Sequence, residues 1–207
     1  SSGITKLIPP FLLAGLGCLL VYLQNDLSTA AIAGVAAIIM FWIGGAPAFF
    51  FIGLGAVALP LLALSVLTSD FRLRRILAFL YPAYEPHGQS YQILGSMRAI
   101  QSGGFFGKGV GLGTLKTGSI PAVQTDFIFS SWTEESGFVG VLAFFALWLV
   151  FAWRCYRHAF QEPDRFRSTL GYGLITLLLL ETMVNVAMVS GVLPATGIPL
   201  PLFSSGG

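Results

Sequence analysis

Residues 48–67 read AFFFIGLGAVALPLLALSVL, twenty positions without one charged side chain. An α-helix crosses the hydrocarbon core of a bilayer in about 20 residues. A barrel strand would alternate apolar and polar residues over about ten positions instead. In lipid every backbone N–H and C=O must find a partner within the protein, so a continuous run of this length reads as a helix. Pro60 is expected to kink it.

Working outward, four more apolar runs appear. Residues 7–23 and 27–43 flank the polar break Gln24-Asn25-Asp26. Pro9 and Pro10 fall in the first turn of their run, where a missing N–H costs least. Gly44, Gly45 and Pro47 mark a tight turn before Ala48. Residues 138–153 and 170–189 complete a set of five spans. Composition agrees: 55% of the 207 residues are apolar and 10% are charged, against a usual charged share of about 25%. Mean hydropathy is +0.81. The expected fold is an all-α polytopic membrane protein in three regions. Residues 1–67 hold three spans, 68–136 form a large extracytoplasmic loop, and 137–207 hold two spans and a Pro-rich outer loop.

Other classes are excluded by the same residues. Eleven basic and nine acidic side chains give a net charge of +2, no field for nucleic acid. Cys18 and Cys155 have neither metal nor disulfide spacing, and His87 and His158 are isolated. Ser1 to Lys6 read as the tail of a loop and the chain stops on Ser-Gly-Gly, so a piece of a longer protein is expected.

Lys and Arg in short loops mark the cytoplasmic side. Arg154, Arg157, Arg165 and Arg167 therefore place the 154–167 loop in the cytoplasm. Counting back puts the Asp26 break, the 68–136 loop and the 193–207 loop together outside. The large loop carries six basic residues, but above about 60 residues the charge rule loses force.

Asp26 reads either as a helix N-cap, with Ser28 the alternative cap, or as a carboxylate facing an outer cavity. Residues 70–80 form a basic amphipathic helix at the membrane surface. Its Arg72, Arg74 and Arg75 suit lipid headgroups, or a diphosphate that guanidinium forks would grip. Gly103 to Gly109 invites a phosphate-loop reading and fails it, with Ser102 where a Gly is needed and Gly109 where Ser or Thr would hold magnesium. A flexible hinge with one placed cation, Lys108, is the reading that remains. Asp126 precedes the apolar run Phe127-Ile128-Phe129, as an N-cap or as a partly desolvated general base. Glu181 and Asn185 share one face of the last span. A carboxylate there costs about 2.5–3.5 kcal/mol at mid-bilayer, so Glu181 should face the bundle interior.

Taken in order, Gln24-Asn25-Asp26-Leu27-Ser28-Thr29-Ala30, Arg72-Leu73-Arg74-Arg75-Ile76, Tyr91-Gln92, Phe106-Gly107-Lys108-Gly109-Val110-Gly111, Thr125-Asp126-Phe127-Ile128-Phe129, Glu134-Glu135-Ser136-Gly137-Phe138 and Gly197-Ile198-Pro199-Leu200-Pro201 resemble the SEDS family of cell-wall polymerases. The resemblance covers nearly the whole chain. It implies the second half of a roughly ten-span fold in the bacterial cytoplasmic (inner) membrane, with an extracytoplasmic site. It implies an inverting glycosyltransferase that polymerises lipid II into peptidoglycan, with undecaprenyl-diphosphate-linked glycan as donor. It implies a class B penicillin-binding protein as transpeptidase partner. Asp126 matches the family's catalytic acid, and Asp26, Arg72, Arg74, Arg75, Gln92, Lys108, Thr125 and Ser204 would bind substrate. A divalent metal, Mg or Mn, could help the diphosphate leave, with no ligand set assigned. Lys116 to Pro121 looks more like the division member than the elongation member. Asn25, Ser28, Ala122, Gln124 and Glu181 depart from the family's usual Pro, Gly, Glu, His and Gln. The rival readings are a lipid II flippase and a non-catalytic division scaffold.

Overall fold

The computed structural model describes residues 2–81, 89–113 and 126–204, with side chains from Leu7 onward and, in the second stretch, from Ser90. Seven helices and no strand occur among the described residues. They are α1 (Ser2–Leu23), α2 (Leu27–Ile43), α3 (Ala48–Leu67), α4 (Asp70–Leu80), α5 (Gln89–Gly103), α6 (Ile128–Gln161) and α7 (Arg165–Val189). All five expected spans are helical. Helices α3, α6 and α7 are long and apolar enough to cross a membrane, and Leu7–Leu23 and Leu27–Ile43 are shorter apolar stretches.

Several boundaries differ from the sequence reading, and the segment 154–167 expected as a loop is mostly helical, because α6 runs on to Gln161 and α7 already starts at Arg165. Helix α1 starts at Ser2, so Pro9 and Pro10 lie inside it and remove two backbone hydrogen bonds. Helix α6 starts at Ile128, ten residues before the apolar run, and is broken at Gly137 (φ 64°, ψ −163°).

The chain divides into two compact units. The first comprises Ser1–Ser65 and Trp153–Leu180. Phe11, Phe41 and Phe50 bring α1, α2 and α3 together, with ring centroids 5.3–6.2 Å apart. Tyr22 Oη and Ser65 Oγ share a hydrogen bond of 3.0 Å between α1 and α3. Such polar links matter in lipid, because packing there has no hydrophobic driving force between helices. Tyr156 and Thr176 make a similar hydroxyl pair at 3.1 Å between α6 and α7.

The second unit comprises Val66–Ala152 and Glu181–Gly207. Phe129 and Phe144 on α6 meet edge to face with centroids 5.1 Å apart, and Phe144 meets Phe203 in the same way at 5.6 Å. Buried hydroxyls close gaps that apolar residues could not. Ser96 Oγ donates to the Val189 carbonyl at 2.8 Å, and Ser90 Oγ to the Ala78 carbonyl at 3.1 Å.

Candidate active site

Asp126 stands in the turn that starts α6, and the two buried rings of Phe127 and Phe129 pin that turn. Its main-chain carbonyl accepts from Asn185 Nδ2 at 2.9 Å. The same amide donates to the Ile198 carbonyl at 2.8 Å. Asn185 is fully buried on α7, so one side chain ties three segments together: the Asp126 turn, α7 and the Pro-rich loop. Gly197 of that loop lies over the carboxylate; a Cβ there would stand 3.8 Å from Asp126 Oδ2. Among the described residues, the Asp126 carboxylate makes no hydrogen bond and no ion pair. It caps no helix. Its geometry is that of a half-buried acid held from behind by its backbone.

The glycine-rich stretch is no loose hinge. It runs through the break in α6 and takes over the hydrogen bonds that the break releases. Lys108 N–H donates to the Glu134 carbonyl and Gly109 N–H to the Glu135 carbonyl, both at 3.0 Å. On the far side, Phe138 N–H donates to the Gly104 carbonyl at 3.0 Å and Val139 N–H to the Phe105 carbonyl at 3.2 Å. A helix end leaves such groups orphaned, and lipid would not satisfy them. The backbones meet so closely that a Cβ on Gly107 would overlap the Glu135 carbonyl, and one on Gly137 the Gly107 amide.

Lys108 Nζ lies 2.7 Å from Glu134 Oε1. The lysine side chain is one-third exposed, whereas the Glu134 side chain is fully buried. Ser102 Oγ donates to the same Glu134 oxygen at 3.4 Å. Lys108 is therefore the counter-charge of a buried acid that the sequence analysis quoted within a motif but gave no role. Two acids in the otherwise small and apolar stretch 129–140 were the available signal.

The other candidates are spread over several elements. On α4, Arg74 is exposed, while Arg72 and Arg75 are half-buried. The Arg75 guanidinium sits 4.5 Å from the Phe71 ring centroid. Gln92 is half-buried on α5. Ser204 Oγ is buried and makes no hydrogen bond among the described residues. Asp26 belongs to the first unit and is the N-cap of α2. Its two oxygens accept from Thr29 N–H at 3.0 Å and Thr29 Oγ1 at 2.6 Å. Asn25 beside it has φ 64°, which a proline, locked near −65°, could not adopt. Thr125 lies outside the described residues. No group of three or more His, Cys, Asp or Glu among the described residues is placed to hold a metal.

Fold and site define a polytopic helical membrane protein that presents a carboxylate at the head of a spanning helix. The chain belongs to the cell cycle protein family of FtsW, RodA and SpoVE, whose model matches residues 1–207. It is 37% identical over its full length to a probable peptidoglycan glycosyltransferase FtsW of Borreliella burgdorferi, covering 57% of that protein. A probable peptidoglycan glycosyltransferase FtsW of Geobacter sulfurreducens is 38% identical over 98% of the chain and 54% of its own length. Stage V sporulation protein E of Bacillus subtilis is 36% identical over 91% of the chain and 52% of its own length. The chain thus spans about half the length of the curated relatives it matches. A solved chain, described under structural coordination of polymerization and crosslinking by a peptidoglycan synthase complex, superposes with a TM-score of 0.74. It is 28% identical, and the match covers 94% of this chain and 54% of that one.

Proposed function

We propose that this chain supplies the catalytic carboxylate of a peptidoglycan glycosyltransferase that polymerises lipid II on the outer face of a bacterial inner membrane. The observation that carries the reading is Asp126: a half-buried acid whose oxygens are engaged by none of the described residues and whose backbone is bolted in place. The names of the relatives supply the substrate class.

The Asp126 carboxylate takes the proton of the acceptor sugar's 4-hydroxyl. The oxygen then attacks the anomeric carbon of the donor glycan opposite its undecaprenyl diphosphate, and the configuration inverts. Inverting transfer needs one base for the attacking hydroxyl. The diphosphate leaves with its own charge, so it needs cations rather than a proton. Arg72, Arg74 and Arg75 on α4 are the cations assigned to it, with Lys108 held at Glu134. The described side chains do not form a metal site, and no step is routed through a metal. The partner is a class B penicillin-binding protein, whose single membrane helix would pack on the exposed apolar flank of α6 that includes Phe138, Leu142 and Leu149.

The test is polymerisation of lipid II by the purified full-length protein with its transpeptidase, read as glycan length on gels. A general base contributes about 10²–10⁴ in rate, so Asp126→Asn should lose activity on that scale and keep its thermal midpoint. Wild-type polymerisation by folded Asp126→Asn overturns the assignment. Glu181, half-buried within the spanning α7, favours a second reading as a lipid II transporter. That reading gains if purified protein moves lipid II across vesicles and never lengthens glycan.

A further inference from the structure

The last turns of α6 carry a cluster that the polymerase reading does not use. Trp153, Arg154, Arg157, His158 and Gln161 line a depression of about 250 Å³. Spacings of three and four residues put positions 154, 157, 158 and 161 on one helix face. All four side chains are exposed. The Arg157 guanidinium lies 5.6 Å from the Trp153 ring centroid, a cation–π distance that orients its fork.

Charge compensation is missing here. The nearby acids serve α7: Asp164 Oδ1 accepts from Arg167 N–H at 3.0 Å, and Glu162 Oε1 lies 3.9 Å from the Arg167 guanidinium. Among the described residues, neither Arg154 nor Arg157 pairs with a carboxylate. Two guanidiniums, an imidazole and an amide thus converge without an anion.

The surroundings are those of a lipid boundary. The apolar run of α6 ends at Trp153, which is 59% exposed, and tryptophan collects at the membrane–water interface. Phe160 and Phe166 in the same stretch are 80% and 75% exposed. We propose that this depression binds the phosphodiester headgroup of an anionic phospholipid. Its phosphate sits between Arg154 and Arg157, and its chains run along the apolar flank of α6. Guanidinium forks grip phosphate oxygens in pairs, while His158 and Gln161 face the glycerol end. The shared chemistry would also admit a soluble phosphate; the exposed indole and phenyl rings favour the lipid. The site stands independently of the polymerase reading.

The experiment is native mass spectrometry of the full-length protein released from nanodiscs of phosphatidylcholine holding a small fraction of phosphatidylglycerol. Retention of phosphatidylglycerol over phosphatidylcholine is expected for the wild type. R154Q/R157Q should lower that preference about tenfold. R165Q/R167Q removes the same charge a few residues away and should change it by less than about twofold. R154K/R157K keeps the charge but loses the forks, and should fall between. Excess soluble glycerol phosphate should leave the bound lipid in place. Absence of a phosphatidylglycerol preference in the wild type overturns the proposal, whatever the variants do. Equal loss in the two charge-removing variants overturns it too, because a diffuse basic field would then suffice. Displacement by glycerol phosphate overturns the lipid as occupant.

Discussion

Lys108 and Asp126 are both charged residues set among apolar neighbours, and their surroundings give them different work. Lys108 faces Glu134, so removing the lysine takes the counter-charge from a carboxylate that is fully buried. Breaking a buried pair from one side costs about 3–5 kcal/mol; the one-third exposure of Lys108 reduces that to about 2–3 kcal/mol. Lys108→Ala should therefore lower the thermal midpoint in detergent. Lys108→Ala/Glu134→Gln should recover most of the loss, since a neutral amide needs no counter-charge. A Lys108→Ala variant that melts normally but fails to polymerise would return Lys108 to the diphosphate. Asn185 acts on Asp126 from behind. Asn185→Ala leaves the Asp126 and Ile198 carbonyls unpaired and frees the turn to drift. Misplacement by about 1 Å can cost about 10² in rate, so kcat should fall by about 10–10² while KM stays within about threefold. Asn185→Gln, which restores an amide donor, should recover part of kcat. A proportional fall in folded protein, with normal kcat per folded molecule, would reduce Asn185 to a packing residue.

At the scale of elements, the spans were legible and their interruptions were not. Runs such as 48–67 announce themselves because lipid leaves a helix no alternative, and the five of them became helical segments. The break in α6 is different. Gly137 in sequence is one small residue among several, and Gly103 to Gly109 looks like loose chain. Only the return of that stretch to positions 134–139 shows that each supplies the other's missing hydrogen bonds. Such pairings, some thirty residues apart in sequence, leave no periodic trace. The same holds for Asn185, where sharing a helix face with Glu181 drew attention to an intramembrane acid rather than to an amide holding the Asp126 turn. Asp26 was legible as a candidate cap because an Asp just before an apolar run is a local signal. The close backbone approach predicts a large effect from a small change. Gly137→Ala places a methyl on the Gly107 amide and demands φ 64° of a residue with a Cβ. Strain of about 1–2 kcal/mol adds to the loss of docking hydrogen bonds. The thermal midpoint should fall, and protease sensitivity should rise between residues 104 and 113. Gly53→Ala, on α3 where an added Cβ meets nothing within 4 Å, is the control expected to be silent on that protease map.

The whole molecule turns on which way the spans are threaded, because the polymerase reading needs Asp126 outside and the arginines of the α6–α7 connection inside. The argument rests on charge. Arg154 and Arg157 at the end of α6 and Arg165 and Arg167 at the start of α7 flank a short connection, and basic residues beside such a connection hold it in the cytoplasm. An apolar window within Ile128–Gln161 is long enough to cross the membrane. The chain before that window and the chain after it should therefore face opposite compartments. His87 and Gly118 would be natural probes of the outer loop, but both lie outside the described residues. Val110 replaces them: it is 89% exposed and belongs to the stretch docked on the α6 break. In cells, a membrane-impermeant thiol reagent should label Val110→Cys and leave Glu162→Cys unlabelled until the membrane is opened. Cys18 and Cys155, both half-buried, are first changed to Ser so that the signal is unambiguous. Labelling of position 162 in intact cells, with position 110 protected, would invert the orientation. It would put Asp126 on the same side as soluble precursors and leave the outer-face polymerase reading without a site.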